Sequence, residues 1–238
     1  MLNNILLQMT VGNTSISEVS EAIVPEDKTL TVWELVSSGG IGGAIIMITL
    51  LILSILAVYI IIERYLVIKK ASKEDINFMN QIKDQILDGK IDAARVLCVE
   101  NSSPIAKMIE KGITRIGKPL SDIGTAVETT GKLELNKLEK NLAALATISG
   151  AAPMIGFLGT VIGMILVFHK MATGGGGVDL TTLSDGIFTA MVTTVAGLIV
   201  GIIAYIGYNS LVAKVEKIVF VMEARTMEFL DILHEPAV

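Results

Sequence analysis

The chain has 238 residues, 52% of them hydrophobic and only 18% charged, with a mean hydropathy of +0.66 and a formal net charge of −5. That is too apolar for an ordinary soluble domain of this length and points to membrane spans. The single cysteine, Cys98, excludes a disulfide framework, and the mixed, slightly acidic charge offers no footprint for nucleic acid.

Residues 1–34 form an acidic leading segment, with Glu18, Glu21, Glu26, Asp27 and Glu34 against Lys28. The opening MLNNILLQM lacks the basic start of a signal peptide. Its Leu2, Ile5, Leu6 and Met9 suit a short interfacial helix. Trp33 precedes the first span, where an aromatic ring fits the membrane interface.

Residues 35–62, 141–169 and 186–213 contain no Asp, Glu, Lys or Arg, and run for 28, 29 and 28 residues. About 20 apolar residues cross a bilayer core, so each stretch predicts one transmembrane helix and none is long enough for two. The first is rich in Ile and Leu, the composition of a lipid-facing helix. Ten basic residues flank the spans on one side (Arg64, Lys69, Lys70, Lys73, Lys132, Lys137, Lys140, Lys214, Lys217 and Arg225), against Lys28 and Lys170 on the other. The positive-inside rule then places 63–140 and 214–238 in the cytoplasm, and 1–34 and 170–185 outside.

Residues 63–140 read as a helical domain. Ile76, Met79, Ile82 and Ile86 form a stripe ending near Gly89, and a second helix covers 92–100 around Leu97. Ser103 followed by Pro104 is a helix start. Ile105, Met108, Ile109, Ile113 and Ile116 follow, up to Gly117. A further helix begins near Ser121 and is predicted to run unbroken to about 168, roughly 70 Å at 1.5 Å per residue. The third span likewise extends through the C-terminal segment.

Two stripes dominate the spans. Leu135, Leu138, Leu142, Leu145, Ser149, Ala152, Gly156, Gly159 and Gly163 alternate steps of 3 and 4. So do Ala190, Thr194, Gly197, Gly201, Ala204, Tyr208, Leu211, Val215, Ile218 and Met222. Both are small inside the bilayer and large outside it. Burial of leucine joins helices in water, whereas in lipid close approach of small residues does so. Packing alone explains any one of these glycines, and Pro153 beside Ala152 allows a local bend.

Enzyme chemistry is missing. Ser149 and His169 lie about 20 residues apart on one helix, roughly 30 Å, too far for a dyad. The other histidine is His234, and no metal-spaced cluster or cofactor motif is present. GGGG at 174–177 lacks a P-loop lysine and reads as a flexible connection. What the spans do contain is hydroxyls: Thr160, Thr189, Thr193 and Thr194. Thr189 and Thr193 suit bonds to their own helix as readily as a polar seam. Thr160 and Thr194, beside and on the stripes, are the better candidates to line such a seam. A proton path here needs a carboxylate from another chain, because the spans carry none.

APMIGFLGTVIGM, followed by DGIFTAMVTTVAGLIVGIIAYIGYN, resembles the MotA/TolQ/ExbB proton-channel family, and the three-span layout is similar to that of its ExbB and TolQ branches. The resemblance implies an all-α inner-membrane protein of three spans with long cytoplasmic helical extensions, assembled as a ring-forming homopentamer. It implies an ExbD-like partner whose intramembrane Asp carries the proton, and a TonB-like protein driven by proton motive force. It implies pore threonines at Thr160 and Thr194, with Ser149, Ala152, Pro153, Gly156, Gly159, Gly163, Ala190, Gly197 and Gly201 packing around the pore. The chain departs from the family where Thr189 stands in place of a usual Glu, and where no proline precedes Tyr208-Asn209. A TolQ-like envelope role, a surface-motility motor and a passive membrane scaffold remain open alternatives, as does sodium in place of the proton.

Overall fold

The structure, a computed structural model, describes residues 40–72, 77–173 and 180–234. The expectations for the acidic leading segment, Trp33, Ile76 and the GGGG connection lie outside those residues. Among the described residues there are seven helices and no strand. They are α1 (Gly40–Ala71), α2 (Phe78–Leu87), α3 (Ile91–Glu100), α4 (Pro104–Ile113), α5 (Leu120–Glu139), α6 (Leu142–Thr173) and α7 (Leu180–His234). Three helical stretches, α1, the α5–α6 rod and α7, are long and apolar enough to cross a membrane.

Helix α7 is one uninterrupted element of 55 residues, about 80 Å long. It runs on past the third apolar stretch, as the stripe through Met222 requires. The connection between the second and third spans is shorter than 170–185. Residues 170–173 continue α6 and 180–185 belong to α7. Lys170 in the last turn of α6 favours this extension through the helix dipole.

The predicted unbroken helix from 121 to 168 does not form. It stops at Glu139 and restarts at Leu142. Lys140 takes an extended ψ of 135°, and Asn141 sits at φ 64°. Asparagine tolerates this left-handed geometry better than most residues. The break leaves the Lys137 carbonyl without an i+4 amide, and Arg64 of α1 supplies the missing donor, Nη1 to O at 3.0 Å. Arg64 is almost fully buried and also donates through Nη2 to Glu63. A guanidinium suits the negative end of a helix.

Outside the apolar stretches, α2, α4 and α5 pack against the far half of α7, and α3 packs on α2 and α4. Ser103 caps α4 by accepting from the Ala106 amide at 3.2 Å, with Pro104 at the first position, as the sequence signal predicts. Met79, Ile82, Ile105, Met108, Ile109 and Ile113 are buried, and Ile86, Leu97 and Ile116 pack partly buried against them. Gly89 and Gly117, where the two stripes end, have φ of +72° and +96°. Phe229 of α7 is fully buried and closes against Gly112 of α4 and Val127 of α5.

Within the apolar stretches α6 and α7 form the most intimate pair, and α1 lies against both. Ile46 and Leu50 of α1 pack with Ala152, and Ile155, Ile162, Ala196 and Val200 surround that cluster. Farther along α1, Ala57, Ile60, Arg64 and Ile68 are buried as well, whereas Ile45, Ile48, Leu51, Ile52 and Ile55 on its outer face are exposed.

Candidate functional site: a glycine and threonine seam

The two small-residue stripes meet each other within one chain. A Cβ added at Gly156 would sit 2.8 Å from the Thr193 carbonyl and 3.0 Å from Gly197 Cα. One added at Gly197 would sit 2.6 Å from the Ala152 carbonyl. At Gly163 it would meet Ala190 Cβ at 2.9 Å, and at Gly159 the Thr193 side chain. These are distances that a side chain larger than hydrogen does not permit, so the backbones touch because these residues are glycine.

Pro153 does not break α6. It has no amide for the Ser149 carbonyl four residues back, and that carbonyl faces Gly201. A Cβ at Gly201 would lie 3.1 Å from Ser149 O and 2.7 Å from Pro153 Cδ. The Ser149 hydroxyl donates to Ala146 O at 2.7 Å.

The four threonines separate into two pairs, divided by the position of α1. Going around α6 at about 100° per residue, Ile162, Gly159, Gly156 and Thr160 fall in that order. Around α7 the order is Ala196, Thr193, Gly197 and Thr194. Ile162 and Ala196 pack toward α1, and Gly156 and Gly197 face each other. Thr193 and Thr189 are therefore on the α1 side. With Gly43, Gly159 and Gly163 they border a cavity of about 10 Å³, room for no more than one water. Thr160 and Thr194 lie on the opposite flank, which α1 does not cover.

The hydroxyls follow this division. On the α1 side, Thr189 donates to Asp185 O of its own helix at 2.9 Å. Buried Thr193 donates to Ala190 O at 2.7 Å and approaches Gly156 O at 3.4 Å. On the open flank, Thr194 donates across the seam to Gly156 O at 3.1 Å, and half-buried Thr160 to Phe157 O of its own helix at 2.7 Å. A hydroxyl that donates one bond keeps acceptor lone pairs for water or an incoming acid.

Sequence reasoning missed Gly43, Gly186 and Arg64. Gly186 admits Val167 of α6 where a Cβ would stand. A Glu63-Arg64 pair closing a 28-residue charge-free run was the available signal for Arg64. Next to the Arg64 junction, Glu134 accepts from Lys137 at 2.6 Å and Lys107 at 3.0 Å. Burial alone would raise the Glu134 carboxyl, but the two ammonium groups outweigh it and hold it below the ordinary glutamate value. Burial, with Glu110 nearby, pushes the Cys98 thiol up to about 12. Among the described residues no group of three His, Cys, Asp or Glu is placed to hold a metal ion.

Fold and seam together define a polytopic helical membrane protein whose apolar helices meet backbone to backbone. Residues 100–224 match the model of the MotA/TolQ/ExbB proton channel family, and the chain belongs to that family. It is 26% identical over 220 residues to the Tol-Pal system protein TolQ of Pseudomonas aeruginosa, covering 86% of this chain and 93% of that protein. It is 43% identical over 77 residues to the biopolymer transport protein ExbB of Helicobacter pylori, covering 32% of this chain and about half, 52%, of that protein. With the ExbB of Aquifex aeolicus it shares 39% identity over 104 residues, 43% of this chain and 70% of the other.

Proposed function

We propose that the chain is the ring-forming subunit of an inner-membrane motor of ExbB type, driven by proton motive force and coupled through TonB to outer-membrane transport. The observation that carries this reading is the open flank of α6 and α7. It presents Thr160 and Thr194 beside a glycine seam, in stretches without an Asp, Glu, Lys or Arg. In a ring, this flank faces the central pore and α1 faces lipid. The N-terminus and the 174–179 connection are periplasmic, and α2–α5 with the far half of α7 are cytoplasmic.

The proton is carried by an Asp on a single-span partner of ExbD type within the pore. The Thr160 hydroxyl accepts from that acid when it is protonated. When the acid ionises, rotation about χ1 lets the hydroxyl donate to it instead. Thr194 does the same at the cost of its bond to Gly156 O. Thr189, where the family has a carboxylate, leaves the charge to the partner. Thr189 and Thr193 serve the path from behind, on the α1 side of the seam.

Thr160→Val and Thr194→Val test the reading in cells. Both are expected to abolish TonB-linked uptake while the assembled complex purifies in normal amount, and Thr→Ser at either position restores uptake. Normal uptake in both valine variants refutes it. A TolQ-like envelope role is the second reading, favoured by the extent of the match to the Pseudomonas protein. Co-purification of a TonB-like chain separates the two. A surface-motility motor shares the pore and differs in its partners, and a passive scaffold predicts no partner with an intramembrane acid.

A further inference from the structure

We propose that a groove on the same open flank, beyond the membrane stretch, seats a basic amphipathic segment of the subunit that fills the pore. The inference rests on the pore reading above. Between α4, α5 and α7 lies a groove of about 460 Å³, lined in part by Met108, Met222 and Met227. It shares Leu135, Val219 and Glu223 with a second of about 380 Å³ that reaches up to Leu142 and Val212.

Helical count connects this groove to the threonines. Leu142 lies 18 residues before Thr160, and Val212 lies 18 residues after Thr194. Each interval is about five turns, so each pair shares one azimuth about 27 Å apart along its helix. Val219, Glu223 and Leu230 fall on the Thr194 azimuth as well, and all three line the groove. A partner helix running down the open flank therefore leaves the membrane directly over it.

The chemistry of the groove defines its occupant. Its floor of methionines adapts to a helix rather than to one rigid shape. Phe220 and Met227 at its edge are 72% and 68% exposed. Its rim carries Glu139, Glu216 and Glu223. Lys132 is the only cation among its lining residues, and it is paired with Glu128 at 2.7 Å. An apolar floor with an acidic rim fits a helix bearing Lys or Arg beside its apolar face. The positive-inside rule gives a single-span partner that composition on this side of the membrane. A ring neighbour would present a different face of the chain to this groove, so a second copy is an occupant that the test below distinguishes.

The test places a photo-cross-linking residue in the full-length membrane complex at Leu198, in the membrane flank, or at Met227, in the groove. Both positions are expected to capture the same single-span polypeptide. The peptide captured at Met227 is expected to carry at least two Lys or Arg within about 20 residues of its span. Glu216 and Glu223 are both exposed, so the fold tolerates E216K with E223K. The pair is expected to lower capture at Met227 at least about tenfold and leave capture at Leu198 unchanged. Capture of only a second copy at Met227, capture at Leu198 alone, or a yield indifferent to charge reversal overturns the groove proposal while the pore reading stands. Failure to capture a single-span polypeptide at either position overturns both.

Discussion

Replacing Gly197 by alanine tests whether the seam holds the spans together through backbone contact. The new Cβ would lie 2.6 Å from Ala152 O and 2.8 Å from Gly156 Cα. Ordinary contact begins near 3.4 Å, so α6 and α7 must part locally by about 0.6–0.8 Å. A gap of that size forfeits roughly a quarter to a half of each dispersion contact it opens. It also stretches the Thr194 to Gly156 bond, now 3.1 Å, past hydrogen-bonding range. Overpacking costs about 1–3 kcal/mol and the interhelical hydrogen bond about 0.6 kcal/mol, offset by up to about 1 kcal/mol of helix propensity. The net expectation is destabilisation by about 1–3 kcal/mol. Gly150→Ala, on the same helix pair, is the control, because a Cβ there meets nothing within 4 Å and is expected to be neutral or mildly stabilising. Unfolding of the purified protein from mild detergent by added SDS, followed by circular dichroism, compares the two. Equal stability of Gly197→Ala and Gly150→Ala would refute the argument from close approach.

Three further outcomes follow from the helical domain and its junction with the second apolar stretch. Asn141→Gly is expected to be tolerated, while Asn141→Ala costs up to about 1–2 kcal/mol in thermal unfolding, because at φ 64° alanine keeps the Cβ that glycine lacks and loses the short polar side chain that lets asparagine adopt this geometry. Cys98 is buried and its thiol is pushed up to about 12, so maleimide labelling at pH 8 is expected on the order of 10³-fold slower than for a free thiol until denaturant is added; rapid labelling of the native protein would contradict its placement. Glu134, held below its ordinary value, adds stability at neutral pH that is lost as pH falls below about 4.5 through its folded value. Denaturation midpoints between pH 7 and 3 are accordingly expected to fall less steeply in Glu134→Gln than in the unchanged protein.

The spans, the capped start of α4 and both stripes were legible because each rests on a local property: charge-free length, a Ser-Pro pair, or a fixed period. The pairing of the stripes within one chain follows from the same rule that made them small in lipid. The break at Lys140–Asn141 was not legible. Its only local mark is an asparagine, and what stabilises it is Arg64, 73 residues before Lys137. Stripe position set Thr160 and Thr194 apart from Thr189 and Thr193 as seam candidates, but it did not show that the two pairs lie on opposite flanks. That division depends on which flank α1 covers, and Ile155, Ile162, Ala196 and Val200 look like any other apolar residues until α1 packs on them.

The central claim is that the open-flank hydroxyls serve an ion path completed by a partner's acid. The most direct measurement is proton flux into liposomes containing the complex of this chain with its acid-bearing single-span partner. The account predicts flux that is lost in Thr160→Val, retained in Thr160→Ser, and lost when the partner's membrane Asp becomes Asn. Undiminished flux through the Thr160→Val, Thr194→Val double variant would contradict it.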